Sequence, residues 1–193
     1  FPMNAAEIHH FLIHDSAISL TDIEVYLSKS ARLRHHLHSA DGYYALSDRA
    51  EIIMLRQRRV EAATWLWPQA TRYGRWLACL PFVEMVAVTG ALAMHNAEAD
   101  DDLDYMIVTQ PGRVWLARLF AIMLVRIVKI RGPVICPNYV VDSNTLIQER
   151  RDLFIAHEVT QMIPVYGHAL YWRIRQLNAW TDTELPNARA PFH

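Results

Sequence analysis

The sequence predicts an α/β (α+β) fold for its larger part, on three observations. Between residues 82 and 163, strand-like apolar runs alternate with helical ones. Gly or Pro punctuates the runs. The hydrophobic fraction, 52% of 193 residues, is enough for the core of one full domain with a small appendage.

The elements follow in chain order. Residues 4–15, NAAEIHHFLIHD, place Ile8, Phe11 and Leu12 at helical spacing, with Asn4 as N-cap. SLTDIEVYLSKS at 19–30 predicts a second helix capped by Ser19 or Thr21, with Ile23, Tyr26 and Leu27 on its apolar stripe. Asp41-Gly42, flanked by LRHHLH and YYAL, is a hairpin-turn signal. Helices followed by a hairpin predict a winged-helix-like unit over 4–48. Residues 49–81 read as a helical linker, kinked or split at Pro68 and weakened at Gly74.

From 82 to 180 the α/β pattern holds. FVEMVAVT (82–89) is a strand, GALAM (90–94) opens a short helix, and DLDYMIVT (102–109) is the next strand. Residues 113–130 form a strongly apolar helix, broken by Arg131-Gly132-Pro133. VICPNYVV (134–141) is a third strand, with Pro137 marking an edge or a bulge. Residues 151–163 and 166–180 are helices separated by Pro164, and 181–193 form a tail.

Composition narrows the function classes. The formal net charge is -1, so no global field recruits nucleic acid or an anionic membrane. The two cysteines, Cys79 and Cys136, form no C-x-x-C pair, which suits a reducing compartment and argues against a disulfide scaffold. Residues 114–130 carry Arg118, Arg126 and Lys129 and are too short to span a bilayer, so they read as a buried helix. A cytoplasmic protein with no membrane partner is expected.

The chemistry concentrates in VAVTGALAMHNAEADDDLDYMIVT, residues 86–109. In a strand, residues i and i+2 leave the same face, so Asp102 and Asp104 point together while Leu103 turns into the core. Two adjacent carboxylates repel unless a cation sits between them, and hard oxygen donors suit Mg²⁺ or Mn²⁺. Gly90, between a strand and a helix start, lets backbone N–H groups approach a phosphate. Asn96 lies in the intervening loop, where it can brace the turn or touch substrate.

This segment resembles the DNA polymerase β-like nucleotidyltransferase superfamily. The signature there is an apolar residue, Gly, then Gly or Ser, a spacer, and Asp-apolar-Asp/Glu-apolar. Here it reads Thr89-Gly90-Ala91, a spacer at 92–101, then Asp102-Leu103-Asp104-Tyr105. Asn138-Tyr139 and AHEVTQMIPVYG (156–167) further resemble bacterial uncharacterised nucleotidyltransferase-domain proteins of that superfamily. The resemblance implies metal-dependent transfer of a nucleoside monophosphate from an NTP to a hydroxyl acceptor, whether a small molecule, a protein or an RNA end. Asp102 and Asp104 would hold the metal ions, with Gly90 and the Ala91 backbone cradling phosphates. Two departures stand out. Ala91 lacks the hydroxyl of a turn serine, and no third carboxylate is evident. Period two on strand 134–141 offers Asn138, or Asp142 at the strand end, as further metal ligands. Loss of the third acid would instead leave a non-catalytic nucleotide-binding or sensing protein.

Weaker signals have plainer readings. His157-Glu158 opens an H-E-x-x-H pattern, but Gln161 replaces the second histidine, so no zinc-protease site forms; the pair braces the domain. In HHLH (35–38), His36 and His38 would share a strand face as surface or half-buried side chains. RQRR at 56–59, beside the winged-helix-like unit, raises a nucleic-acid-binding regulator, although a solvated helix face explains it as well. Trp65, Trp67 and Trp76 read as interdomain core.

Overall fold

The structure, a computed structural model, describes residues 1–130 and 132–192. Arg131 of the expected helix break and His193 of the expected tail lie outside the described residues. The protein combines helices with two sheets, an α+β arrangement.

The N-terminal unit comprises β1 (Met3–Asn4), α1 (Ala5–His10), α2 (Leu20–Lys29), α3 (Ala31–His36), β2 (Leu37–Ala40) and β3 (Tyr43–Leu46). The strands form an antiparallel sheet in the order β1-β3-β2. A reciprocal capping box starts α1: the Asn4 and Glu7 side chains each accept the other's backbone N–H at 2.8 Å. The helix ends at His10, short of the expected 4–15. At the hairpin, Asp41 and Gly42 both take positive φ, 51° and 79°, as a type I′ turn requires. The histidines of HHLH are exposed, as expected, but the shared strand face is corrected. His35 and His36 end α3 and only His38 lies in β2, so His36 and His38 share no strand face. Ser30 Oγ accepts the Leu33 N–H and starts that helix, and histidines suit its C-terminal turn.

The larger part runs through α4 (Ile52–Ala78), β4 (Val83–Val88), α5 (Gly90–Ala93), β5 (Leu103–Thr109), α6 (Val114–Val128), β6 (Ile135–Asp142), α7 (Leu153–Gln161), β7 (Ile163–Tyr166), α8 (His168–Leu177) and α9 (Thr181–Glu184). Its sheet has the order β6-β5-β4-β7. β5 and β6 are parallel, and β4 is antiparallel to both β5 and β7. The strand β7 is a correction, because Pro164 was expected only to separate two helices. An edge strand pairs on one side, so it tolerates a residue with no N–H.

Two apolar clusters sandwich the sheet. On one face Val86, Val88, Leu103, Tyr105 and Ile107 pack against α4 and α6. On the other, Met85, Ala87, Met106 and Val108 meet α7 and α8. The central strands are therefore apolar at consecutive positions, as strands covered on both faces must be.

Three expectations change here. The segment read as a linker is a layer of this core: Ala63, Leu66, Ala70, Tyr73 and Leu77 of α4 all lie in its cluster. Pro68 sits inside α4, which continues as one element; packing of its buried face outweighs the single lost backbone bond. The tail also docks. Leu185 and Ala188 are buried against Ala156, and Asn187 bonds the Ile18 N–H and the His9 carbonyl at 3.1 and 2.8 Å. Finally, α6 is buried on one face only, through Ala117, Ala121 and Val128. Among the described residues, no helix is long and apolar enough to cross a membrane.

Candidate functional site

The acid pair sits where β5 begins. Asp102 immediately precedes the strand, and Asp104 is its second residue. Asp104 shares the alternation of Met106 and Val108, so it belongs to the face covered by α7 and α8. The Thr89 N–H donates to the Asp104 carbonyl at 3.0 Å, fixing the end of β4 against the start of β5.

Gly90 follows at once, with φ +66°. A Cβ built there would lie 2.6 Å from Asp104 Oδ2. Both the backbone conformation and the contact demand glycine. The turn and the acid are thus in direct apposition. Ala91 lies in the first turn of α5, whose own carbonyl accepts the Asn96 N–H at 2.9 Å.

Asp102 is exposed and Asp104 half-buried. Burial pushes the Asp104 carboxyl above its ordinary range; the Cys136 thiol's hydrogen bond opposes this, and the charges of Asp102 and Asp101 add to it. Burial, then the charge of Asp104, pushes Glu158 upward too. Glu158 comes from α7, so this helix delivers a third carboxylate into the field of the pair. Among the described residues no ion pair reaches Asp104 or Glu158. Cys136 is itself raised by burial and by Asp104, with Arg118 of α6 acting the other way.

A cavity of about 290 Å³ lies beside this cluster, lined in part by Thr89, Asn138, Tyr139, Phe154 and Glu158. A bulge shapes its wall. From Asp104 to Met106 is two steps along β5, while the paired residues Cys136 and Tyr139 are three steps apart on β6. Pro137 lies inside the bulge, so the strand is both bulged and an edge. The residue alongside Asp104 is therefore Cys136, while Asn138 faces the cavity.

Two expected site residues lie elsewhere. Asp142 pairs with Thr109 at the far end of β5, roughly 17 Å from Asp104 at strand spacing. Its carboxylate accepts the Gly112 and Asn144 N–H groups at 2.5 and 2.8 Å, and these bonds hold it below the usual carboxylate range. It caps a turn rather than extending the acid pair. Asn96 lines a different cavity, shared with Pro2, Arg56 and Arg59. Asp101 also serves a turn, accepting the Glu98 N–H at 2.7 Å.

Glu158 is the residue that the sequence reading assigned to bracing. Its only sequence signal was the incomplete H-E-x-x-H pattern, which pointed to different chemistry. Among the described residues, no group of three His, Cys, Asp or Glu side chains is arranged to hold a metal ion. As hard oxygen donors, Asp102 and Asp104 could contribute two ligands to a divalent cation.

The basic run proves largely structural. Arg56 is 1% exposed; it pairs with Glu7 at 2.5 Å and donates to the carbonyls of Pro2, Met94 and His95. Arg59 pairs with Glu98. Of the three tryptophans read as core, Trp67 does pack against the main cluster, and the other two correct the reading. Trp65 is 80% exposed and Trp76 47%, while Trp67 donates to His95 Nε2 at 2.8 Å.

No protein-family model, no curated protein sequence and no solved structure matches the chain.

Proposed function

We propose that the chain is a metal-dependent nucleotidyltransferase of the polymerase β-like type, with a winged-helix-like N-terminal unit, moving a nucleoside monophosphate from an NTP to a hydroxyl acceptor. The observation that carries this reading is the apposition of Gly90 and Asp104. A phosphate at the glycine turn would lie next to Asp104, which no ion pair reaches among the described residues. Asp102 and Asp104 fit Mg²⁺ or Mn²⁺ as hard oxygen donors, and the bound ion would neutralise the phosphate oxygens. The backbone at Gly90 and Ala91 orients the phosphates. The cavity offers Tyr139 and Phe154 to a nucleobase and Asn138 to its polar edge. Glu158, its carboxyl raised, takes the proton from the acceptor hydroxyl. The acceptor oxygen then bonds the α-phosphorus as the bond to the pyrophosphate oxygen breaks.

A second reading has one observation behind it. A neutral thiol, Cys136, stands beside Asp104, which favours nucleotide binding without turnover. Calorimetry with each NTP and Mg²⁺ or Mn²⁺ tests both readings, with pyrophosphate release followed in parallel. Wild type binds and releases pyrophosphate; Asp104→Asn binds no metal–nucleotide. Binding without release would select the sensing protein, and unchanged binding by Asp104→Asn would sink the site.

A further inference from the structure

The outer face of α6 is apolar and uncovered. Trp115 is 81% exposed, Leu119 52%, Met123 53%, Ile127 66%, and Ile130, just past the helix, 76%. Spacings of three and four place these side chains on one stripe, opposite the buried Ala117, Ala121 and Val128. Isolated exposed apolar residues need no explanation, but a continuous stripe along a whole helix marks a contact surface.

The charges identify the partner. Arg118, Arg126 and Lys129 are all exposed on this helix. Between Asp104 and Asp142 the sequence contains no Asp or Glu. Arg126 falls within the apolar stripe, while Arg118 and Lys129 lie along one border. Long basic side chains in such places can lay their stems on apolar surface and reach phosphate headgroups with their tips. A second copy is a poor occupant, because stacking two such faces brings Arg126 and its basic neighbours against their like. No residue of α6 lines the cavity beside the acid pair or the one shared by Pro2, Arg56 and Arg59. A fluid, anionic surface satisfies the apolar stripe and the charge together.

We infer that α6 is a peripheral membrane anchor, lying in the plane of an anionic lipid surface with Trp115, Leu119, Met123, Ile127 and Ile130 in the headgroup–acyl boundary. A helix lying in the surface plane is compatible with the finding that, among the described residues, no helix is long and apolar enough to cross a membrane. It stands independently of the nucleotide site.

The test is co-sedimentation with vesicles of neutral phosphatidylcholine, or of phosphatidylcholine mixed with anionic phosphatidylglycerol, alongside sizing of the free protein by light scattering. Wild type should bind the anionic vesicles, and added salt should weaken the binding. Leu119→Glu with Ile127→Glu should abolish binding while leaving the far-ultraviolet dichroism unchanged, since both side chains face outward. Arg126→Gln with Lys129→Gln should weaken it by roughly thirtyfold, given the contribution of each basic residue near such a surface. Absence of binding to anionic vesicles would overturn the inference. So would equal binding to neutral ones, or a dimer that Ile127→Glu dissociates, which would assign the face to a second copy.

Discussion

Two carboxylates, Glu7 and Asp104, meet burial in opposite ways. Glu7 is 3% exposed and faces Arg56, 1% exposed. The guanidinium also donates to three backbone carbonyls, so little polar capacity in that knot is wasted. Asp104 has burial and two neighbouring aspartates against its charge, with a thiol's hydrogen bond in partial compensation, and its own charge in turn raises Glu158. The first arrangement is complete within the chain and ties the N-terminal unit to the turn after α5. The second is incomplete within the chain. A buried acid that the fold has satisfied holds the fold together, and a half-buried one with no ion-pair partner among the described residues is available to a ligand.

That contrast can be broken by mutation, and its strongest test is Arg56→Met. Removing one partner strands the Glu7 carboxylate, so the protein should lose about 3–5 kcal/mol of stability in denaturant titration. A loss within experimental error would mean that the knot is not an energetic tie. Glu158→Gln should do the reverse. Unfolding midpoints should hold or rise, because a repelling charge is gone, while pyrophosphate release falls by about a hundredfold or more, as for loss of a general base. A clear drop in stability with intact turnover would return Glu158 to a bracing role.

The smallest effect concerns His95, whose Nε2 accepts the Trp67 indole N–H. Burial, then the charge of Arg56, holds its pKa below the ordinary 6.5. The unfolded chain therefore takes up this proton more readily. The stability due to neutral His95 is whole above pH 6.5 and is lost as the pH falls through the lower folded-state value. Thermal midpoints of wild type should fall between about pH 7 and pH 5, and His95→Gln should flatten that slope. His157, also lowered by burial, would leave a residual slope; identical profiles would remove His95 from the account.

What the sequence made legible was local. The Gly90 turn and the place of Asp104 at the start of β5 were readable because a turn and a strand start need only local geometry. The caps at Asn4 and Ser19 and the Asp41-Gly42 turn were readable for the same reason. Glu158 was not, because the chain path alone brings α7 over Asp104. Nor was the layer role of α4, where Pro68 and Gly74 mimic a break that tertiary packing overrides. Asp142 does end β6, as read, but its separation from Asp104 was not legible, because alternation gives a face without a distance along the strand. The bulge at Pro137 then changed which β6 residue stands beside Asp104. β7 escaped because four residues containing a proline carry almost no periodic signal. The outer face of α6 was misread because apolar content alone cannot separate a core helix from one that presents its residues outward.

The two prolines of the larger sheet have a joint consequence. Pro137 sits in β6 and Pro164 in β7, the strands at its opposite margins. Each withholds an amide proton that an incoming chain would need. The sheet is therefore guarded at both borders against growth by added strands, and fibrillar self-templating through those edges is disfavoured even where apolar side chains lie close by.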